Sequence, residues 1–375
     1  MMRETVASYF RLLWRQYEYQ LILVSASLAG LVIEASLSAK WSPWRLGPPA
    51  LVTVCLLYFL LNALSIHRSL FPNPALAYSV CTGKTLEWFE SSARRQQEER
   101  LKQSGIRWSA VQREFRIHVS DWAFVDQSAL TEDSETWVNL TRRMLVHFWH
   151  LPKRVEGVPV YHFFLIAPPT VSFALGAHAG RRVAHVVYHF VNSTKQPYLP
   201  VADTTKRDHS QGLDLLNRRV AEANFQHILV NREKRNRAGT KVLLVLDFTN
   251  HRLAGSLPQE SEAQTIVRVA HKNGIGHLPN NTWEQLAQEI ASVILEVCDQ
   301  GLGLDVYVNT PLALAFMVGS IVGPIKGLTL CEHNVYLQKP IRCFELADAR
   351  IQELSSPLVL ARANGLPAPG TPPSS

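Results

Sequence analysis

The chain has 375 residues, with 38 basic against 31 acidic side chains, a formal net charge of +7 and a hydrophobic fraction of 47%. This length and apolarity exclude a single small domain and a disordered chain. The positive charge suits contact with phosphates or an anionic membrane surface, without naming a partner. The cysteines are scattered and form no C-x-x-C pair, so they support neither a disulfide framework nor a zinc knuckle.

Two apolar windows near the N-terminus predict a transmembrane helical hairpin over residues 21–71. The first window spans 21–39 and contains one charge, Glu34, whereas the second spans 46–66 and contains none. Each has about the 20 residues that a helix needs to cross the hydrocarbon core. The intervening segment, 40–45, combines a proline with tryptophans and cations, which favours a turn at the membrane surface.

The leader, residues 1–20, is expected to form an amphipathic helix at the membrane interface. A secretory signal peptide is the alternative for the first window, because Leu37-Ser38-Ala39 resembles a cleavage site, but the leader is long and contains Glu4 and Glu18. A pair of buried core helices is a second alternative, which the uncharged second window disfavours. Basic residues outside both ends of the hairpin favour a multi-pass protein with both termini in the cytoplasm.

Polar side chains within the hairpin are candidates for a membrane effector function. Glu34 lies near the far end of the first helix, where a carboxylate is costly unless it pairs, reaches the interface or faces other protein. One interpretation is that Glu34 snorkels towards Lys40. The other is that several hairpins assemble around a shared polar stripe. The members of that stripe would be Ser25, Ser27, Glu34, Ser36 and Asn62.

The remaining chain is predicted to be a connector, an α/β domain and a tail. Residues 72–130 are rich in charge and are interpreted as a helical connector, broken near Ser104-Gly105. A helix is predicted to begin at Ser134, its N-cap. Short apolar strands then alternate with helices, which predicts an α/β domain over residues 131–355. The proline-rich end, 356–375, is expected to be disordered.

An internal repeat is the most informative feature of the α/β part. Residues 163–180 (FFLIAPPTVSFALGAHAG) align with residues 306–323 (VYVNTPLALAFMVGSIVG) at a constant offset of 143 residues. In each copy an apolar strand leads into a proline at the first turn of a helix, and a second strand follows. The units, around 158–191 and 304–334, predict two Rossmann-like halves related by a pseudo-two-fold axis. Shared positions are Pro168 with Pro311, Phe173 with Phe316, Gly176 with Gly319 and Gly180 with Gly323.

Candidate ligand-binding residues follow from this arrangement, because open α/β sheets bind ligands beyond the carboxyl ends of their strands. A third predicted strand, 241–248, ends in aromatic and polar residues, among which Phe248 is expected to stack on a base. A site lined by two related halves suits a ligand with repeated units. The candidates are Ala167, Pro168, Pro169, Thr170, Phe248, Thr249, Asn250, Arg252, Asn309, Thr310 and Pro311.

No catalytic motif is recognisable in the sequence, whether a G-x-S-x-G elbow, a P-loop, an H-E-x-x-H pair or a nuclease-like set of carboxylates. His147-x-x-His150 and His185-x3-His189 come nearest to metal spacing, but neither has a nearby set of Cys or carboxylate ligands, so no metal or other cofactor is expected. The basic cluster within 232–241 is interpreted as a solvated surface. Attraction of a polyanionic nucleotide or of anionic lipid headgroups is the alternative.

The paired strand-Pro-x4-Phe-x2-Gly-x3-Gly segments, most clearly LDVYVNTPLALAFMVGSIVG, resemble SAVED domains. A membrane hairpin ahead of one is similar to the transmembrane SAVED (2TM-SAVED) effectors of CBASS antiphage systems. The resemblance covers residues 134–354 and 21–66. It implies two fused CARF-like halves that bind a cyclic oligonucleotide, often a trinucleotide, made by a partner CD-NTase. It further implies a bacterial inner-membrane effector that forms a homo-oligomer on ligand binding, disrupts the lipid bilayer and causes abortive infection, with no direct binding of DNA or RNA.

A second hypothesis is a membrane-anchored enzyme that degrades or modifies a nucleotide, with the hairpin as a passive tether. Its candidate catalytic groups are Asp247, His251 and Thr310. A third is a structural membrane protein with a degenerate sensor domain. The receptor hypothesis itself assigns no catalytic residue, because the hairpin would be the toxic part.

Overall fold

The structure is a computed structural model, and it describes Tyr58 and the residues from 73 to 349 with several gaps. The gaps are 128–132, 156, 192–196, 207–218, 236–240, 250–262, 275–277, 279–281 and 335–338. The predicted leader, hairpin and tail lie outside the described residues, apart from Tyr58. So do the stripe residues Ser25, Ser27, Glu34 and Asn62 and the ligand candidates Asn250 and Arg252. Within the described part, no helix combines the length and the hydropathy needed to cross a membrane.

The described residues form a mixed α/β fold with two sheets, the fold class that the sequence predicts. The strands are β1 Ala75–Thr82, β2 Ala123–Asp126, β3 Val160–Ile166, β4 Ala184–Phe190, β5 Tyr198–Asp203, β6 Ile228–Lys234, β7 Lys241–Asp247, β8 Ala263–His271, β9 Gly303–Asn309, β10 Leu328–Asn334 and β11 Lys339–Glu345. The longer helices are α1 Arg94–Gln103, α2 Trp108–Phe115, α3 Ser134–His150, α4 Pro169–His178, α5 Trp283–Asp299 and α6 Leu312–Val322. The strand orders are β2-β1-β3-β4-β5 and β11-β10-β9-β7-β8-β6.

The repeat found in the sequence is visible in the strand order of the two sheets. In the first half, β3 pairs in parallel with β4, which pairs antiparallel with β5. In the second half, β9 pairs in parallel with β10, which pairs antiparallel with β11. On the other side, β1 and β7 lie parallel to β3 and β9, and β2 and β8 continue the sheets. The second half adds β6 at its edge.

The repeated helices α4 and α6 lie at the centre of the molecule and join the halves. All residues of α6 after Leu312 are buried, as is typical of a helix that is hydrophobic all round. The ring centroids of Phe163 on β3 and Phe316 on α6 are 4.6 Å apart. The core is therefore continuous from one half to the other.

Residues 72–130, which were expected to form a helical connector, contribute two strands to the first sheet. β1 pairs with β3 from Ala75 to Cys81, and β2 pairs with the other edge of β1. The apolar run of β1 is buried along almost its whole length, as is typical of a central strand in a parallel sheet. The helical interpretation holds for the part between these two strands, which is helical over 86–103, 108–115 and 119–122, with the predicted break at Ser104-Gly105. This segment is therefore part of the first half.

The N-cap of helix α3 lies one residue before the position that the sequence predicts. Asp133 is the N-cap, and its carboxylate accepts hydrogen bonds from the backbone N–H of Glu135 (3.2 Å) and Thr136 (3.0 Å). The Thr136 hydroxyl and these N–H groups lower the pKa of Asp133. Ser134 is instead the first helical residue. A carboxylate is the stronger cap here because it also interacts favourably with the helix dipole.

Candidate ligand-binding site

A contact joins the carboxyl end of β3 in the first half to the carboxyl end of β10 in the second half. Thr170 stands in the first turn of α4, directly after β3, and contacts Glu332 near the end of β10. This contact joins a strand end of the first half to a strand end of the second. Ligands of open α/β sheets bind at such strand ends.

Thr170 and Glu332 form a partly buried polar contact across the two halves. The Glu332 carboxylate accepts hydrogen bonds from the Thr170 backbone N–H at 3.2 Å and from its hydroxyl at 2.5 Å. Burial raises the pKa of Glu332 to about 7, and the two bonds from Thr170 act in the opposite direction. The second half thus supplies an acidic cap to the helix of the first half.

A second polar cluster ties the ends of β7 and β9 together. The Asn309 side-chain amide donates to the Asp247 carboxylate at 2.9 Å and accepts from the Thr249 hydroxyl at 2.5 Å. The backbone N–H of Phe248 donates to the Asn309 carbonyl at 2.8 Å. Asn309 is buried, whereas Asp247 and Thr249 are partly exposed. The cluster therefore offers a carboxylate and a hydroxyl at its solvent side.

Thr310 follows this cluster and precedes the N-cap of α6, Pro311. The residue is 2% exposed, and its hydroxyl has no hydrogen-bond partner within the described part of the chain. A buried hydroxyl without a partner costs free energy and is uncommon in native proteins. The carboxyl end of β9 thus contains a polar atom whose bonding capacity is unused.

The sequence-predicted site residues fall into three groups in the structure. Thr170 and the residues just before it lie at the end of β3, and Asn309 to Pro311 lie at the end of β9, where the strand-end argument places them. Phe248 does lie at the end of β7, but it is 3% exposed and belongs to the main core. Its ring therefore packs against protein and is not presented for stacking on a base, which corrects that expectation. Asn250 and Arg252 are outside the described residues.

Sequence reasoning missed Glu332, the residue that links the two halves. The repeat predicts the strand that contains Glu332, but the predicted site residues come only from the ends of the first strand of each repeat and of the strand 241–248. Applying the same strand-end argument to β10, LTLCEHN, would have identified Glu332.

The histidine pairs and the basic cluster have structural partners. His147 contacts the Tyr78 hydroxyl through Nδ1 (3.1 Å) and the Ser120 carbonyl through Nε2 (2.7 Å). In the part of the chain that the structure describes, no group of three His, Cys, Asp or Glu side chains could hold a metal ion. Arg232 forms ion pairs with Glu222 and Glu296. This pairing favours the interpretation of the basic cluster as a solvated surface.

Comparison of the chain with protein-family models and with curated proteins finds no match. Among solved structures, it is similar to the Acinetobacter baumannii Cap4 SAVED/CARF-domain containing receptor with the cyclic trinucleotide 2′3′3′-cAAA, with a TM-score of 0.45 and 11% identity over 77% of this chain and 55% of that chain. The Moraxella osloensis Cap4 SAVED/CARF-domain containing receptor gives a TM-score of 0.32 and 9% identity over 77% of this chain and 53% of that chain. The chain thus spans about half the length of these receptors.

Proposed function

We propose that this chain is a SAVED-type receptor and membrane effector of a cyclic-oligonucleotide antiphage system. Its α/β part binds a cyclic oligonucleotide that a CD-NTase produces. We expect this ligand to be a trinucleotide. The observation that supports the proposal is the duplicated unit, in which β3-α4-β4-β5 and β9-α6-β10-β11 have the same order and a strand end of one half contacts a strand end of the other. Such a paired site suits a ligand built from repeated units.

The groups at the strand ends fit the chemistry of a nucleotide. The Asp247 carboxylate and the Thr249 hydroxyl oxygen can accept hydrogen bonds from ribose hydroxyls or from base amino groups. The first turn of α6, at the end of β9, has backbone N–H groups without partners among the described residues, and helix N-termini favour phosphate. The net charge of +7 favours encounter with a polyanion.

A receptor fits these groups better than an enzyme does. Asp247 already accepts a hydrogen bond from Asn309. The Thr310 hydroxyl has no base beside it among the described residues, so nothing there activates it as a nucleophile. His251, the third catalytic candidate, lies outside the described part. We therefore propose that the ligand is bound and released unchanged.

The membrane part of the proposal rests on the two apolar windows of the sequence. We infer a bacterial inner-membrane protein with a two-helix hairpin over residues 21–71 and both termini in the cytoplasm. A ligand that binds the assembled state more tightly than the single chain shifts the population towards the assembly. The assembled hairpins would then disrupt the bilayer and cause abortive infection.

A binding assay with recovery of the ligand tests this proposal and separates it from the enzyme hypothesis. The full chain, purified in mild detergent, is titrated with a panel of cyclic di-, tri- and tetranucleotides by calorimetry, and the mass of the protein is followed by light scattering. The proposal predicts tight binding of one member, growth in mass and recovery of the ligand intact by mass spectrometry. Consumption of the ligand would establish the enzyme instead, and binding of no member would refute the receptor.

A further inference from the structure

The two repeated helices begin with equivalent backbones but with different residues. Pro168 and Pro311, the N-caps of α4 and α6, have nearly identical dihedral angles, with φ −55° and ψ 147° in one and φ −55° and ψ 142° in the other. The next position is Pro169 in α4 and Leu312 in α6. Any difference in what these two N-termini bind therefore comes from their donors and neighbours and not from their backbone geometry.

The N-terminus of α4 has fewer free donors than that of α6, because among its first three positions only the Val171 N–H lacks a partner within the described residues. Pro169 has no backbone N–H. The N–H and the hydroxyl of Thr170 both donate to Glu332, so a carboxylate of the protein already occupies the end of the helix. A second anion there would have to displace the Glu332 side chain or lie beside it, and above its pKa of about 7 the charged Glu332 carboxylate repels an anion at short distance.

The N-terminus of α6 retains its donors. Leu312 and the two residues after it have backbone N–H groups with no hydrogen-bond partner among the described residues, and the first bonded one is Ala315, which donates to Pro311 at 2.9 Å. The Thr310 hydroxyl, also without a partner there, belongs to the same end of the helix. Pro311 and Leu312 are partly exposed, so solvent reaches the rim of this end.

We propose that the site is one-sided: the N-terminus of α6, with the Thr310 hydroxyl, binds a phosphate group of the ligand, and Glu332 excludes phosphate from the equivalent end of α4. This inference rests on the proposed function, since a cyclic oligonucleotide supplies the phosphate. In addition to the proposed function, a one-sided site means that the two pseudo-symmetric halves hold different parts of the ligand. The ligand can then bind in only one orientation. The Asp247 and Asn309 pair beside α6 then faces the sugar next to that phosphate.

Two matched threonine variants test the role of Thr310. Thr310→Val removes the unpaired hydroxyl at the helix end, and Thr141→Val removes another unpaired hydroxyl that is buried in α3, outside the two repeated helices. Both variants should keep or raise the melting temperature of the ligand-free chain, because neither hydroxyl has a partner there. Only Thr310→Val should weaken binding of cyclic triadenylate, by about tenfold, because it alone removes a hydrogen bond to a charged group.

Leu312→Pro tests the backbone donors by copying the other half of the molecule. It reproduces the Pro168-Pro169 pair of α4, and proline is favoured at the first helical position, so α6 should remain folded. The variant removes one N–H from the proposed phosphate site and should also weaken binding by about tenfold. Glu332→Gln should bind at least as tightly as the wild type, because it removes a negative charge near the ligand.

The titrations are made on the full chain with two probes, cyclic triadenylate and pyrophosphate, so that failure of the proposed function is seen separately. If the wild type binds pyrophosphate but no cyclic nucleotide, the proposed function is refuted. The affinities of the wild type and the variants for pyrophosphate then test the phosphate site by itself. Weaker binding by Thr310→Val and Leu312→Pro than by Thr141→Val supports it. Wild-type affinity in either variant, weaker binding by Glu332→Gln, or a wild type that binds neither probe would overturn it.

Discussion

Gly176 of α4 and Gly319 of α6 have reciprocal positions in the packing of the two helices. A Cβ atom on Gly176 would collide with the backbone carbonyl of Phe316, and a Cβ atom on Gly319 would collide with the carbonyl of Phe173. The four residues form two of the four shared pairs of the sequence repeat. The repeat therefore encodes a close contact between helix backbones, which side chains larger than hydrogen do not allow.

Replacing either glycine by alanine should destabilise the protein. Gly to Ala within an exposed helix normally stabilises by about 1 kcal/mol, but here the new methyl group meets backbone atoms that cannot move alone. We expect Gly176→Ala and Gly319→Ala each to lower the free energy of unfolding by about 1–3 kcal/mol, measured by urea denaturation. The control is Gly105→Ala, where a Cβ meets no atom within 4 Å and the cost comes only from the positive φ of 80°. Stabilisation by either helix variant would contradict the packing.

The Glu332 carboxyl should make stability depend on pH. Its pKa is about 7 in the folded protein against an ordinary value of 4.5, so between these pH values the folded state keeps a proton that the unfolded state releases. The free energy of unfolding should therefore fall as pH rises from about 4.5 to 7, by up to about 3 kcal/mol, and stay level above. Glu332→Gln lacks this ionisation. Melting temperatures of both proteins across this range should diverge with pH, and parallel curves would show that Glu332 titrates normally.

Glu289 should be important for the start of the edge strand β6. Its buried carboxylate, on α5, accepts hydrogen bonds from the backbone N–H groups of Gln226 (2.7 Å), His227 (3.0 Å) and Ile228 (3.1 Å). Glu289→Ala leaves these donors unpaired and should cost about 3 kcal/mol or more of stability. Glu296→Gln on the same helix breaks only a surface ion pair with Arg232 and should cost under about 1 kcal/mol. Equal losses in urea denaturation would argue against this anchoring role.

Glu34 should matter for membrane damage and not for ligand binding. If assembled hairpins share a polar stripe, Glu34→Ala should reduce the leakage of dye from liposomes that contain the full chain when cyclic triadenylate is added. The affinity for the ligand should be unchanged, because Glu34 belongs to the hairpin. Glu18→Ala, in the leader, is the control for loss of an acidic group. Unchanged leakage from the Glu34 variant would remove Glu34 from the mechanism.

The repeat and its helix starts could be predicted because their signals are local. A proline after an apolar strand and small residues at constant spacing indicate a strand, a turn and a closely packed helix. The relation of Gly176 to Gly319 could be expected from the alignment of the two copies. The packing of each glycine against the helix of the other could not be predicted, because it depends on how the two copies pack together.

The errors arose where distant parts of the chain decide the outcome. β1 consists of an apolar run between Pro74 and Gly83 that resembles a strand, but its place in the sheet depends on pairing with β3. Phe248 ends a strand, yet whether its ring faces solvent depends on the packing of the core. The contact of Thr170 with Glu332 spans 162 residues and has no local signature.

The measurement that tests the central claim most directly is hydrogen exchange of the full chain with and without cyclic triadenylate, at the stoichiometry found by calorimetry. The claim is that one ligand is held by the strand ends of both halves. It predicts one ligand per chain and slower exchange in the peptides that contain Thr170 and Thr310 together. Protection of only one of these segments, or of neither, would contradict a shared site.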